Sequence, residues 1–180
     1  MVYLFKIVLI GDGGVGKTTL RKRFMGEGFT ASYLVTIGAD FAVKNVETSD
    51  GTQVKFQIWD LAGQPHFKAV REGFYRGSRG ALLVYDVTRR ETYEHLELWM
   101  KELLNNAGAK VPIVLVGNKI DLRVPGRDHI TTEEGLKMKQ SLEDEYGVQV
   151  HFIETSAKTG ENVNTAFITL ADMILKAVKE

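Results

Sequence analysis

The sequence of 180 residues predicts an α/β fold with a six-stranded, mostly parallel sheet and helices on both of its faces. Two observations lead to this prediction. Short and nearly continuous hydrophobic runs alternate with longer stretches of helical periodicity, as expected for strands covered on both sides. One pair of candidate strands instead alternates polar and apolar residues around Ser49, Asp50 and Gly51, which indicates an antiparallel hairpin at the edge of the sheet.

The individual elements follow from the hydrophobic pattern in chain order. We expect strands at residues 3–10, 41–48, 54–59, 81–87, 111–116 and 150–153. The first and the last three are nearly continuous hydrophobic runs, whereas the second and third form the alternating hairpin. Helical spacing predicts helices at residues 17–24, 91–106, 132–146 and 162–179. The last helix has apolar side chains three or four residues apart, which predicts that it packs on the core.

The composition is that of a single globular domain, which we expect to span residues 1–180. Lys+Arg and Asp+Glu both number 23, and this balance argues against a nucleic-acid partner, which usually requires a basic surplus. No apolar run approaches the roughly 18 residues that cross a bilayer, and the apolar start lacks the flanks of a signal peptide. With no Cys in the chain, we expect no disulfide and no prenyl anchor on it. These observations favour a cytoplasmic monomer.

The stretch GDGGVGKT at residues 11–18 follows the first predicted strand and opens the first predicted helix. Glycines let successive backbone N–H groups turn inward around a phosphate, and the helix adds its positive N-terminal end. A lysine in this position reaches the β- and γ-phosphates, and a Thr hydroxyl in the next position can bind Mg²⁺. The sequence therefore predicts a phosphate-binding loop formed by Gly13, Gly14, Val15, Gly16, Lys17, Thr18 and Thr19.

Two further motifs stand at the ends of later strands and favour guanine over adenine. Asn118, Lys119 and Asp121 follow the strand at 111–116, where open α/β sheets bind their ligands. An Asp carboxylate accepts from the ring N–H and the amine of guanine, whereas adenine presents a lone pair in place of that ring N–H. The segment Ser156, Ala157 and Lys158 ends the last strand, where its backbone N–H groups can meet the guanine carbonyl oxygen.

Together the motifs GDGGVGKT, the Thr in YLVTIGADF, WDLAGQ, NKID and ETSAK resemble, in order and spacing, the G motifs of Ras-superfamily small GTPases. The resemblance covers residues 3–179 and is closest to the Rab branch, through TIGADF, WDLAGQ and FYRGSRGALLVYDVT. It implies the three-layer P-loop fold of a Ras-like G domain. It also implies binding of GTP and GDP with Mg²⁺, slow GTP hydrolysis, and partners that sense which nucleotide is bound.

The resemblance also implies roles for single residues around the phosphates. Thr18 and Thr36 match the hydroxyls that bind Mg²⁺, and Asp60 matches the carboxylate that holds the metal through water. Gly63 matches the glycine whose N–H senses the γ-phosphate. Gln64 matches the residue that orients the attacking water, and we expect it to act with Lys17 in catalysis. Two aromatics complete the site, Phe29 against the guanine edge and Tyr33 over the phosphates.

Partners are expected at the loops that change with the nucleotide. Phe41, Trp59 and Phe74 match the aromatic triad through which Rab-like proteins contact effectors, and activating and exchange proteins are expected at the same loops. No internal arginine finger is evident, and Gly13 and Gly14 leave room for one supplied by a partner. Association with membranes is then expected only through partners.

The chain departs from the Rab pattern at two positions, Leu61 and Pro65. A proline biases the preceding residue toward extended geometry, so Pro65 either holds Gln64 ready for water or holds it away. A GTP-binding module with negligible hydrolysis therefore remains an alternative to a GTPase switch. A P-loop ATPase or kinase is a third hypothesis, which the NKID motif disfavours.

Overall fold

The computed structural model describes residues 1–28 and 36–180 and contains one six-stranded sheet. Its strand order is β2-β3-β1-β4-β5-β6, and β2 and β3 pair antiparallel while the other neighbouring pairs are parallel. The predicted fold class and edge hairpin are thereby confirmed. The strands are β1 (Tyr3–Ile10), β2 (Ala39–Glu47), β3 (Gln53–Leu61), β4 (Gly80–Asp86), β5 (Ile113–Asn118) and β6 (Val150–Thr155).

The helices agree with the prediction except in two places. They are α1 (Lys17–Phe24), α2 (Lys68–Glu72), α3 (Arg90–Glu94), α4 (Leu96–Ala107), α5 (Thr132–Tyr146) and α6 (Val163–Lys179), with short 3₁₀ turns at Pro65–Phe67 and Ile120–Leu122. The helix predicted at 91–106 is divided at His95, although helical hydrogen bonding continues across the division. Helix α2 was not predicted, because five residues are too few to show a hydrophobic period.

Strand β1 has the predicted bounds, and β2 to β6 differ from the prediction by one or two residues at one or both ends. For β5 and β6 the reason is local. The fifth strand begins at Ile113 rather than residue 111, since Pro112 has no N–H to contribute to the ladder. The sixth continues to Thr155 because its partner strand β5 continues to Asn118 in register with it. Both strands therefore extend closer to the motifs that follow them than the hydrophobic pattern indicated.

Two hydrophobic clusters cover the two faces of the sheet. Alternate residues of β1 divide between them: Ile7 and Leu9 pack toward α1 and α6, and Val8 and Ile10 pack toward α4. Phe24 of α1 stacks on Phe167 of α6 with ring centroids 4.0 Å apart, which joins the two helices of one face. With both faces covered, the carboxyl ends of the parallel strands meet at one edge, and the predicted motifs follow at that edge.

Candidate functional site

A cavity of about 320 Å³ opens at the carboxyl edge of the sheet. Most of the residues predicted for the site line it: Gly13, Gly14, Gly16, Lys17, Thr18, Thr19, Thr36, Gly63, Gln64, Asn118, Lys119, Asp121, Ala157 and Lys158. Val15, Asp60 and Ser156 lie fully buried behind this lining. Phe29 and Tyr33 lie outside the described residues. The structure therefore brings together, around one cavity, motifs that are up to about 140 residues apart in the sequence.

The loop between β1 and α1 has a backbone that requires glycine. Gly11 and Gly16 have φ of 144° and 102°, a region that residues with a Cβ rarely adopt. A Cβ on Gly11 would also lie 2.2 Å from the Val84 carbonyl oxygen, and one on Gly16 would lie 2.3 Å from Asn118 Nδ2. Gly16 directly precedes α1, whose first N–H groups consequently face the cavity without a side-chain cap.

The ammonium group of Lys17 is held inside this loop. Its Nζ donates to the carbonyl oxygens of Gly11 at 2.7 Å and Asp12 at 2.9 Å, and only 6% of the residue is exposed. Burial lowers the pKa of Lys17 to about 8, and the nearby carboxylates of Asp60 and Asp12 partly oppose that shift. Because the two carbonyls satisfy only part of its donor capacity, the ammonium is arranged to meet an anion in the cavity.

Three oxygen ligands suitable for a hard cation lie side by side next to Lys17. The Thr18 hydroxyl lies 2.7 Å from the Thr36 hydroxyl and donates to Asp60 Oδ2 at 2.5 Å. Asp60 is fully buried and burial raises its pKa, while its Oδ1 has no hydrogen-bond partner. Two hydroxyls and a buried carboxylate with a spare oxygen are ligands that Mg²⁺ accepts.

A cation at this position would be bound by few charged side chains of the protein. Among residues 1–28 and 36–180, no three His, Asp or Glu side chains come together as a metal site. Such a sparse set fits Mg²⁺, which usually keeps several waters and binds one or two carboxylates together with substrate phosphates. Arg21, one helical turn after Thr18, lies 3.7 Å from Asp60 Oδ2 and also binds Asp40 at 2.7 Å.

The residues after β5 connect the first and last motifs. Asn118 donates through Nδ2 to the Val15 carbonyl at 2.9 Å, and its Oδ1 accepts from the Thr155 hydroxyl at 2.8 Å. Lys119, in left-handed geometry at φ 71°, donates to the Gly14 carbonyl at 2.7 Å, so that its stem spans the cavity wall. Asn118 therefore braces the site through hydrogen bonds that the sequence analysis did not predict.

The carboxylate expected to contact a base is oriented by the last strand. The Ser156 hydroxyl donates to Asp121 Oδ1 at 2.7 Å, while Asp121 remains exposed at the cavity. Lys158 is exposed at the same end, and Ala157 is buried with its N–H directed at Asn118 Oδ1, 3.3 Å away. The cavity therefore has a polar wall at the end opposite the cluster of Thr18, Thr36 and Asp60.

The segment after β3 lies directly against the glycine-rich loop. A Cβ on Gly63 would lie 2.4 Å from both the Gly11 carbonyl oxygen and the Gly13 nitrogen, so only glycine fits at this contact. Gln64 has extended geometry, with φ −69° and ψ 142°, and Pro65 after it begins the 3₁₀ turn. The extended backbone predicted for Gln64 is thereby confirmed, and the residue lines the cavity.

Four residues that the sequence analysis did not single out connect the loops of the site. Asp12 accepts from Trp99 Nε1 at 2.8 Å and pairs with His95 Nδ1 at 2.6 Å, and Arg71 binds the carbonyls of Ala62 and Gln64. An acidic residue inside a phosphate-binding loop was a usable signal for Asp12. For Trp99 and Arg71 no local signal exists, since their partners lie far away in the sequence.

The three aromatics expected to anchor partners form one stack beside the cavity. Trp59 lies between Phe41 and Phe74, with ring centroids 4.6 Å and 4.9 Å apart. Phe41 is 43% exposed, and Ile37 nearby in the sequence is 80% exposed. The stack is therefore accessible at the surface next to the segment that carries Thr36.

The fold and the glycine-rich loop at its carboxyl edge define the class of P-loop α/β proteins. The Ras family model matches residues 6–176. The Ras-related proteins RABE1e and RABE1d of Arabidopsis thaliana are both 44% identical to this chain over 178 residues, 99% of this chain and 78% and 79% of theirs. Ras-related protein Rab-13 of Canis lupus familiaris is 42% identical over 176 residues, 97% of this chain and 82% of its own.

The chain therefore belongs to the Ras family, on its Rab branch, and is a GTP hydrolase. Its similarity to the Rab proteins extends over nearly its whole length rather than over the glycine-rich loop alone. Within the described residues, no helix has the length and apolar character that a membrane span requires.

Proposed function

We propose that this chain, as one G domain over residues 1–180, is a molecular switch that binds GTP or GDP with Mg²⁺ and converts GTP slowly to GDP and phosphate. The observation that supports it most is the convergence on one cavity of the glycine-rich loop, the hydroxyls of Thr18 and Thr36, and the strand ends after β5 and β6. A phosphate-binding loop, a cation site and a polar base wall are the three parts that this function needs.

In this proposal the loop binds the phosphates, and the metal is held beside them. Backbone N–H groups from Gly13 to Thr19 surround the β- and γ-phosphates, and the buried ammonium of Lys17 neutralises their charge. Thr18 and Thr36 ligate Mg²⁺ through their hydroxyls, and Asp60 holds it through water. When bound, the cation would neutralise negative charge that develops on the phosphates during transfer.

The base occupies the opposite end of the cavity. The carboxylate of Asp121, oriented by the Ser156 hydroxyl, accepts from the ring N–H and the exocyclic amine of guanine. Lys119 and Phe29 cover the base, while Ala157 and Lys158 line the cavity where its carbonyl oxygen would lie. Ser156 lies behind them and acts through its hydroxyl on Asp121. The hydrogen bond from Asn118 to the Val15 carbonyl fixes the position of this wall relative to the phosphate loop.

Hydrolysis depends on positioning rather than on a protein nucleophile. Gln64 orients the attacking water, because its amide can accept from water and donate to a phosphate oxygen. Gly63 lies against the glycine-rich loop, where its N–H can sense the γ-phosphate, and Tyr33 covers the phosphates. A partner that supplies an arginine would accelerate the reaction.

The switch communicates through surfaces near the γ-phosphate. The Thr36 hydroxyl would bind the metal only when that phosphate is present, so the neighbouring surface would change with the nucleotide. The stack of exposed Phe41 with partly buried Trp59 and Phe74 offers an aromatic anchor for effectors, and activating and exchange proteins act at the same loops. The chain acts as a cytoplasmic monomer with no nucleic-acid partner, and it meets membranes through partners.

Two measurements test the proposal. Mass analysis of the protein purified under native conditions should find a guanine nucleotide in the cavity, whereas bound adenine nucleotide would contradict the assignment. Gln64→Leu should leave GTP affinity unchanged and slow single-turnover hydrolysis, because it removes the amide that orients water. Equal rates for the two proteins would remove Gln64 from the mechanism.

The base assignment has its own test. Asp121→Asn should weaken GTP binding by about 10²-fold or more and improve xanthosine triphosphate binding, because an amide can donate where a carboxylate only accepts. Competition against a fluorescent nucleotide measures both changes. Asp128→Asn is the matched control, since Asp128 is exposed and pairs with Arg90 away from the cavity. An unchanged base preference in Asp121→Asn would contradict the assignment.

A further inference from the structure

Helix α2 is attached to the rest of the protein almost entirely through one side chain. Of its five residues, Lys68–Glu72, only Arg71 is buried, with 4% of its surface exposed. The other four are exposed, including Val70 at 47%. Because hydrophobic burial is the usual anchor of a surface helix, its absence here leaves Arg71 as the group that fixes the position of α2.

The guanidinium of Arg71 uses four of its five N–H donors in two directions. Nε and Nη2 donate to the two carboxylate oxygens of Glu102, each at 2.9 Å, which forms a bidentate pair. Nη1 donates to the backbone carbonyls of Ala62 and Gln64, both at 2.8 Å. Arg71 therefore clamps the backbone on both sides of Gly63 to a carboxylate on another helix.

The other end of this clamp is rigidly held in α4. Glu102 also accepts a hydrogen bond from the hydroxyl of Tyr75, which is fully buried. The ring of Trp99, one turn earlier in α4, lies 4.4 Å from Arg71 Cζ and stacks on the guanidinium. Trp99 in turn donates to Asp12 in the glycine-rich loop at 2.8 Å. Helix α4 thereby contacts both the phosphate loop and Arg71, and so fixes the position of the Gln64 backbone relative to that loop.

We propose that Arg71 is a positioning residue for Gln64, holding its carbonyl at a fixed place relative to the glycine-rich loop so that its side chain meets the attacking water. The inference rests on the catalytic role proposed for Gln64. Gln64 has an extended backbone and lies between Gly63, which must be glycine, and Pro65. Neither neighbour fixes the position of Gln64 through side-chain packing. A displacement of about 1 Å at a reacting group costs about 10²-fold in rate, so loosening the hydrogen bonds of Arg71 should slow hydrolysis measurably.

Single-turnover hydrolysis of the Arg71→Lys variant tests the inference. Lysine keeps the charge, but one ammonium cannot reach Glu102 and both carbonyls at once. We expect the rate to fall by about 10- to 100-fold, while the dissociation constants for GTP and GDP change by less than about threefold. An unchanged rate would overturn the inference, and so would a loss of nucleotide affinity as large as the loss of rate.

A double variant separates positioning from general structural support. In the Gln64→Leu background, Arg71→Lys should cause no further slowing, because no amide remains to be positioned. Equal slowing by Arg71→Lys with and without Gln64 would show a merely structural role. Arg90→Lys is the matched control, since Arg90 also forms a fork with a carboxylate, that of Glu134, and should change the rate by less than about twofold.

A second variant serves if Arg71→Lys does not fold. Glu102→Gln leaves Arg71 in place but replaces its charged, bidentate partner with a neutral amide, which loosens the clamp. It should slow hydrolysis in the same direction, and no slowing would contradict the inference. Failure of the underlying function looks different: Gln64→Leu itself would then hydrolyse GTP as fast as the unmodified protein.

Discussion

The hydroxyl of Thr18 donates to Asp60 Oδ2 at 2.5 Å, across 42 residues of sequence, and joins the start of α1 to the end of β3. Asp60 stands near the carboxyl end of β3, and Thr18 follows the loop that leaves the carboxyl end of β1, the parallel neighbour of β3. The buried Asp60 has a second oxygen that finds no hydrogen-bond partner among residues 1–28 and 36–180, and a charged oxygen left unpaired in the interior is costly. A cation with its water shell beside Thr18 and Thr36 is the group that would satisfy it.

Asp60→Asn should therefore weaken the metal site rather than the fold. An amide has the size of the carboxylate but lacks its charge, and losing a group that orients the metal costs about 10- to 100-fold in metal affinity. We expect the Mg²⁺ concentration that retains GDP to rise by that factor, measured from nucleotide release in Mg²⁺ buffers. The Asp128→Asn control should match the unmodified protein. Identical Mg²⁺ dependence in Asp60→Asn would remove Asp60 from the site.

Gly63→Ala tests the contact between the segment after β3 and the glycine-rich loop. The added Cβ would lie 2.4 Å from backbone atoms of Gly11 and Gly13, which cannot move aside as a flexible side chain could. We expect single-turnover hydrolysis to fall by about 10²-fold, because Gln64 moves away together with its neighbour. Gly73→Ala is the control, since its Cβ would meet only the Val70 carbonyl at 3.6 Å. Normal turnover in Gly63→Ala would mean that this close contact is not used in the reaction.

Those parts of the site that depend on residues close together in the sequence could be predicted from the sequence. The glycine-rich loop, the hairpin turn at Gly51 and the extended Gln64 before Pro65 each follow from the conformational limits of one or two residues. Asp121 was predicted because polar groups that follow buried strands gather at one edge of a parallel sheet, whereas the role of Asp60 was implied by the family resemblance. In the structure Asp121 lines the cavity and Asp60 is buried behind that lining.

The hydrogen bonds that brace the site were not predictable in the same way. Arg71 and Glu102 are 31 residues apart, and Trp99 and Asp12 are 87 residues apart. No periodicity or turn preference relates such residues, because tertiary packing alone brings them together. The missed helix α2 belongs to the same class, since one buried arginine rather than an apolar stripe holds it.

The pH dependence of stability should reflect the start of α5, away from the cavity. Glu134 binds Arg90 and completes a capping box with Thr131, and these hydrogen bonds, above all those from Arg90, lower the pKa of its carboxyl. A lowered pKa in the folded state stabilises the protein above the unfolded-state pKa, near 4.5, and that contribution is lost as the pH falls below it.

Glu134→Gln should therefore lower the melting temperature at pH 7 and have a smaller effect at pH 3.5. Thermal unfolding at the two pH values, with nucleotide and Mg²⁺ concentrations fixed, measures the difference. Glu133→Gln is the control, because Glu133 is exposed and lies outside the capping box. Equal destabilisation at both pH values would show that the charge of Glu134 does not contribute.

Pro65→Ala addresses whether the proline holds Gln64 ready or holds it away. Gln64 lines the cavity together with Thr36 and Gly63, so the extended backbone that Pro65 favours directs it toward the phosphate end. Alanine at residue 65 would let Gln64 sample helical geometry, and removing such a restriction costs about 0.4–1 kcal/mol. We therefore expect single-turnover hydrolysis to slow by about two- to fivefold with GTP affinity unchanged. Faster hydrolysis in Pro65→Ala would mean the opposite, that the proline restrains Gln64 from the water.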